Sequence, residues 1–150
     1  QDQEITDRAE LERILHRAAV CRLGLVDGDR PYIVPVCFGY RENALYVHSA
    51  LQGYKLDILS RHPEVCFEVE VDVQMLPASK PCAWSVHYAS VIGWGRAALL
   101  QQAEEKRGAL AVLIAHYGDQ GPCAFSEEAL AKMAVIVITI DHMTGKRSTR

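Results

Sequence analysis

The chain has 150 residues, 49% of them hydrophobic and 23% charged, with a formal net charge of -3. That length suits one domain able to bury roughly 68–70% of its unfolded surface, so residues 1–150 are read as a single unit. Average composition without repeats or blocks of like charge excludes disorder and solenoids, and the mildly acidic balance excludes the basic footprint of a nucleic-acid binder.

Asp7 and Glu10 have capping-box spacing, and Leu11, Ile14, Leu15 and Ala18 then share one helical face. The chain is therefore expected to open with an amphipathic helix. AVCRLGLV, a DGD turn, PYIVPVCFGY, a RENA turn and LYVHS read as three strands of an antiparallel meander. The helix GYKLDILSRH is closed by His62-Pro63. Alternation then sets Val65, Phe67, Val69 and Val71 on a core face and Glu68, Glu70 and Asp72 on a wet one.

The segment QMLPASKPCAW reads as a long irregular loop before a second long strand around SVHYASVIGWGRAAL. AEEKRGALAVLIAHY gives a helix with Leu110, Leu113, Ile114 and Tyr117 inward. A Gly/Pro connection follows, then a helix capped by Ser126 and a last strand, AVIVITIDH. Six strands in hairpin order with peripheral helices are best satisfied by closure, which removes unpaired edges. The fold class expected is α+β, a six-stranded antiparallel barrel.

Cys21, Cys37, Cys66, Cys82 and Cys123 are scattered and form no C-x-x-C pair, which points to a reducing compartment without a zinc site or disulfide framework. No apolar run reaches bilayer-spanning length, and the start lacks signal-peptide order. A soluble cytoplasmic protein without membrane or nucleic-acid partners is the expectation.

Three places carry chemistry. At YVHSALQGYKLDIL, residues 46–59, a strand exits through His48 and Ser49 into Gly53, Lys55 and a helix. Such a corner presents free N–H groups and a positive dipole end, where an anion fits and where Lys55 is otherwise poorly placed. A solvated lysine, a turn glycine and a capping serine account for the same residues. In PVCFGY, Pro35 cannot donate to a ladder and leaves neighbouring main-chain groups open to a planar ligand. In SVIGWGRA, Gly93 and Gly95 suit either a close approach to the backbone or a barrel corner.

Taken in order, PVCFGY, YVHSALQGYKLDIL, CFEVE, CAWSVHYASVIGWGRA and ITIDHMTGKRS resemble the FMN-binding split-barrel family related to pyridoxamine 5'-phosphate oxidase, in its nitroimidazole-resistance (Nim-like) branch. The likeness spans nearly the whole chain. The ordered series H-x(4)-G-x-K, S-V-I-G-x-G and T-G-K is more specific than any one motif.

The resemblance implies a split β-barrel homodimer with two FMN molecules, FAD being the alternative, each in a groove between the barrels. It assigns Pro35, Val36, Cys37 and Phe38 to the flavin ring edge. His48, Ser49, Gly53, Tyr54 and Lys55 match the corner that holds the ribityl phosphate and one end of the ring. Ser90, Val91, Ile92 and Gly93 match a second flavin-contacting strand, and Lys146 a C-terminal segment near the same groove. His48 also matches a histidine beside the flavin, which makes it the candidate catalytic residue, as proton donor or ligand anchor. The arginine-rich phosphate-binding set of the true pyridoxamine-phosphate oxidases is missing, so that substrate is not expected.

The function implied is an FMN-dependent oxidoreductase that reduces a small electrophile such as a nitroaromatic. With no G-x-G-x-x-G segment, NAD(P)H would bind only transiently over the flavin. A reading of another class is a non-catalytic flavin or haem carrier on the same barrel, with His48, His87 or His142 as axial ligand. No metal site is expected: Glu68, Glu70 and Asp72 read as a solvated strand face, and Cys37 as a buried small hydrophobe.

Overall fold

The computed structural model describes residues 2–118 and 124–148; Cys123 and most of the Gly/Pro connection expected before Ser126 lie outside the described residues. Eight strands form one sheet: β1 (Asp2–Ile5), β2 (Cys21–Asp27), β3 (Arg30–Val36), β4 (Gly39–Arg41), β5 (Ala44–Ala50), β6 (Glu64–Leu76), β7 (Ser85–Leu99) and β8 (Met133–Ser148). The helices are α1 (Arg8–Arg17), α2 (Tyr54–Arg61), α3 (Ala103–His116) and α4 (Glu127–Ala131). None of them is long and apolar enough to cross a membrane.

The sheet path runs β3-β2-β6-β7-β8-β5-β4, all antiparallel, with β1 added to the far end of β8. Its two terminal strands, β3 and β4, are joined in the chain by Cys37 and Phe38 alone. Three residue steps span at most about 11 Å, so the sheet has to roll until its ends meet. This connectivity makes the barrel.

The inner face and α1 share one core. Leu11, Ile14, Leu15 and Ala18 of the first helical face pack with Leu23, Leu25, Val47, Val65, Phe67, Val69, Val91, Ile136 and Ile138. Asp7 caps α1 by accepting the Glu10 N–H at 3.0 Å, and Ser126 caps α4 through the Ala129 N–H at 3.1 Å. A second cluster, Ala109, Leu110, Leu130 and Val135, seats α3 and α4 on the outside of β8.

The expected six strands become eight for identifiable reasons. The polar DQEI precedes α1 as β1 because the free edge of β8 offers Gly145, Lys146, Arg147 and Ser148 as ladder partners. PYIVPVCFGY is two strands, because the sheet ends at Val36 and restarts at Gly39. The long loop shrinks to residues 77–84 as Gln74, Met75 and Leu76 pair with His87, Val86 and Ser85. The last strand runs on through the TGKRS segment to Ser148.

One side chain departs from the alternation. The β6–β7 register slips between Val71 and Gln74, and Asp72 has φ 58. This bulge turns Asp72 away from the face shared by Glu68 and Glu70 and gives it to Arg17 of α1.

Candidate functional site

Along β5, alternation buries Leu45 and Val47 and leaves Ser49 half-buried on the same inner side, while His48 is exposed outside. One edge of β5 is fully paired, with His48 opposite Val135 and Ala50 opposite Met133. On the other edge the ladder to β4 covers Ala44, Leu45 and Tyr46. Among the described residues β3 pairs with β2 alone.

The rolled sheet is therefore unlatched along a seam, with residues 35–38 on one lip and residues 48–50 on the other. Pro35 has no N–H to offer. The Phe38 N–H donates to the Tyr117 hydroxyl at 3.1 Å, and the Phe38 ring is buried. Cys37, expected to be buried, is instead exposed on the lip because the ladder stops at Val36, which is buried below it.

Past the seam comes the start of α2. Gly53 has φ 148 and ψ 163, a conformation essentially limited to glycine, and it leaves the helix without a side-chain cap. The first-turn N–H groups thus lack an intrahelical or capping partner. A Cβ at Gly53 would meet nothing within 4 Å, so the turn opens onto free space.

Tyr54 anchors this turn. Its hydroxyl donates to Asp27 at 2.5 Å, and its ring stands edge-on to Tyr32 with centroids 4.8 Å apart. Arg61 reaches the same carboxylate at 3.0 Å. The Tyr54 bond, with help from Arg61, holds the Asp27 carboxyl below its usual range, and Asp27 in turn pushes the phenol up.

Lys55 is half-buried and makes no ion pair or hydrogen bond among the described residues. Burial alone pushes its pKa down. A dehydrated cation facing the positive end of a helix, without a counter-ion, is an unfavourable arrangement that a bound anion reverses.

The remaining candidates lie elsewhere. Ser90 and Lys146 are cross-strand neighbours, as are Val91 and Gly145, Ile92 and Thr144, and Gly93 and Met143. Val91 is buried and Ile92 is 41% exposed. Gly93 does meet a close approach, but from the core: an added Cβ would lie 2.3 Å from the Phe67 ring. Lys146 is bound to Asp2 of β1 at 2.5 Å, and that carboxylate pushes its pKa up.

The stretch of β8 from Val135, opposite His48, to Lys146 is roughly 36 Å of strand. One chain therefore does not gather both sets around one small ligand. Pro35, Arg22, Glu68 and Ile92 do share one cross-strand row on the outer face, where Ile33 is 69% and Trp94 48% exposed. Arg22 bridges Glu68 and Glu70 there at 3.3 and 3.1 Å.

Sequence reasoning gave no role to Arg13, Arg17 and Arg147, which come together under α1 around a cavity of about 230 Å³. The one-turn spacing of the first two was the only signal available.

Residues 7–147 match the family model described as pyridoxamine 5'-phosphate oxidase. The fold matches a Bacteroides thetaiotaomicron protein described as a candidate 5-nitroimidazole antibiotic resistance protein, with 30% identity and a TM-score of 0.87, over 98% of this chain and 87% of that one. It also matches an FAD and heme binding protein from Mycobacterium smegmatis, with 22% identity and a TM-score of 0.87, over 98% and 74% of the two chains. An uncharacterized protein of Rhizobium meliloti is 28% identical over 127 residues, 71% of this chain and 83% of its own.

Proposed function

This chain belongs to the pyridoxamine 5'-phosphate oxidase family, and on that premise we propose that it is an FMN-dependent oxidoreductase that reduces a small electrophile such as a nitroaromatic. The observation that carries the reading is Lys55, a partly buried ammonium without a counter-ion among the described residues, beside an uncapped helix and an open seam. The M. smegmatis relative's description as an FAD and heme binding protein supports a flavin as the missing partner, with FAD as the alternative to FMN.

The residues present fit a flavin monophosphate. Lys55, the first-turn N–H groups of α2 and the Ser49 hydroxyl would hold its phosphate, with Gly53 keeping the approach open. The lip of Pro35, Val36, Cys37 and Phe38 would border the edge of the flat ring. Bound there, the cofactor supplies hydride chemistry that no side chain offers. His48, exposed on the opposite lip, would present an imidazole as proton donor or as anchor for a small acid. NAD(P)H serves as a transient donor in this reading.

Ser90, Val91, Ile92, Gly93 and Lys146 reach the cofactor from a second copy of the chain. Two features support such a homodimer: the length of β8 between the two residue sets, and the exposed Ile33, Ile92 and Trp94 on the outer face. The nitroimidazole-resistance description of the Bacteroides relative supports the substrate class.

The test is an absorbance spectrum of the purified protein with extraction of its cofactor, followed by an NAD(P)H-oxidation assay with a nitroaromatic acceptor. Flavin bands and acceptor-dependent turnover are expected. A colourless preparation that takes up no added FMN overturns the reading, and a Soret band favours the haem-carrier alternative.

A further inference from the structure

We propose that the cavity beneath α1 is a second binding site, for a small oxyanion of the phosphate or dicarboxylate class, held by Arg13 together with Arg17 and Arg147. The cavity, of about 230 Å³, is walled by α1 through Glu10, Arg13, Ile14 and Arg17, by the β6 bulge through Asp72, by β7 through His87, Tyr88 and Ala89, and by β8 through Arg147. Three guanidiniums face two carboxylates, a local positive excess in a chain of net charge -3.

Two of the arginines are held in place. Arg17 is paired with both oxygens of Asp72, at 2.5 and 3.1 Å, and Arg147 is paired with Glu10. Arg13, one turn from Arg17, has no partner among the described residues. The far wall is also fixed. The buried Ser148 hydroxyl accepts the Tyr88 N–H at 3.0 Å and bonds the His87 Nδ1 at 3.2 Å, which sets the imidazole at the cavity edge.

The bulge is the second observation. Asp72 and Val73 stand opposite Tyr88 alone, and Asp72 sits at φ 58. A non-glycine residue in that region costs on the order of 1 kcal/mol, while an exposed ion pair contributes about 0–1 kcal/mol. The Arg17 pair at best cancels the strain. Placing a guanidinium in the cavity wall gives the bulge a purpose, and bulges do re-aim side chains beside binding sites.

The chemistry of the wall selects the ligand. Guanidinium forks match the paired oxygens of a carboxylate or phosphate. The volume admits an anion of a few atoms and is below the roughly 300 Å³ at which sites for drug-sized ligands begin, so a nucleotide is excluded. Arg147 lies at the opposite end of β8 from Val135, so a ligand here does not touch the β5–α2 corner.

Isothermal titration of the full chain in saturating FMN, which keeps the Lys55 corner occupied, with inorganic phosphate and separately with malonate at constant ionic strength, tests the site. Saturable binding of at least one probe is expected. Arg13→Gln should weaken it at least tenfold, with the folded state checked by circular dichroism. Asp72→Asn, which keeps a residue type tolerant of positive φ and removes a competing carboxylate, should strengthen it several-fold. Lys55→Ala should leave it unchanged. Absence of saturable binding, an Arg13→Gln affinity equal to that of the parent, or loss of binding in Lys55→Ala overturns the proposal.

Discussion

Two lysines fall in segments that the family likeness ties to one groove, and their surroundings are opposite. Lys55, in the first turn of α2, is half-buried and makes no ion pair among the described residues, and burial lowers its pKa. Lys146, on the exposed outer side of β8, is already bound to Asp2, which raises its pKa. The first lacks a counter-ion among the described residues and the second has one. A cation that loses water without gaining a partner marks where a ligand belongs more sharply than a cation in a motif does. The same contrast runs through the surrounding regions: the corner is open and uncapped, whereas β7 and β8 are paired from Ala89 to Leu99 with a single register shift at Trp94/Gly95.

The largest effect is expected from testing whether these regions meet across two copies of the chain. Ile92→Glu puts a charge on the outer face without touching the corner or the core, since Ile92 is 41% exposed. It should give a folded monomer that retains almost no flavin, as read by light scattering and the 280 nm-to-flavin absorbance ratio. A dimeric Ile92→Glu variant with full flavin content would separate the β7 face from the cofactor. Next in size, Lys55→Ala removes a charge-assisted contact worth about 1.5–3 kcal/mol, so FMN affinity should fall about 10- to 100-fold. Lys146→Ala should change it less than about threefold. Equal losses in a fluorescence titration would erase the distinction between the two lysines.

Each region also has its own glycine, and the two fail differently. Gly93→Ala drives a Cβ into the Phe67 ring and should cost about 1–3 kcal/mol, partly recovered by adding Phe67→Leu. Gly53→Ala meets no atom but must hold φ 148, at a cost of about 1–3 kcal/mol that no neighbouring substitution recovers. Thermal melts of the two single variants and the double variant measure this, at about 2–4 °C per kcal/mol for a chain of this size.

Much of this was legible in the sequence wherever a local rule decides the outcome. The Asp7 and Ser126 caps, the buried side of α1 and the inner row Val65, Phe67, Val69 and Val71 follow from hydrogen-bonding chemistry and period alone. β1 was not legible, because its polar residues are strand only by virtue of a free edge contributed by residues 145–148. The break at Cys37 and Phe38 was hidden for a related reason: it is where a rolled sheet meets itself, a property of the whole topology. In the site, the corner was visible as an electrostatic conflict between Lys55 and a helix start. The group of Arg13, Arg17, Asp72 and Arg147 was not, because it needs a bulge to turn Asp72 out of its row and a final strand to bring Arg147 back to α1.

The smallest effect has the most specific sign. In the flavin-free chain Lys55 has its pKa below the ordinary 10.5, so in the window beneath that value the unfolded state binds more protons than the folded one. Stability then rises with pH across that window, and below it the dehydrated charge is a constant liability. Lys55→Met should abolish the rise and stabilise the empty chain by less than about 1 kcal/mol, because the group is only half-buried. Lys146 runs the other way: its pKa is raised by Asp2, so its contribution is complete below the ordinary lysine value and is lost as pH climbs through the raised one. Urea titrations of the empty parent and the Lys55→Met and Lys146→Met variants from pH 8 to above 10.5 separate the two slopes. Adding FMN should turn the Lys55 slope to the sign of the Lys146 slope, since a phosphate does for the first lysine what Asp2 already does for the second.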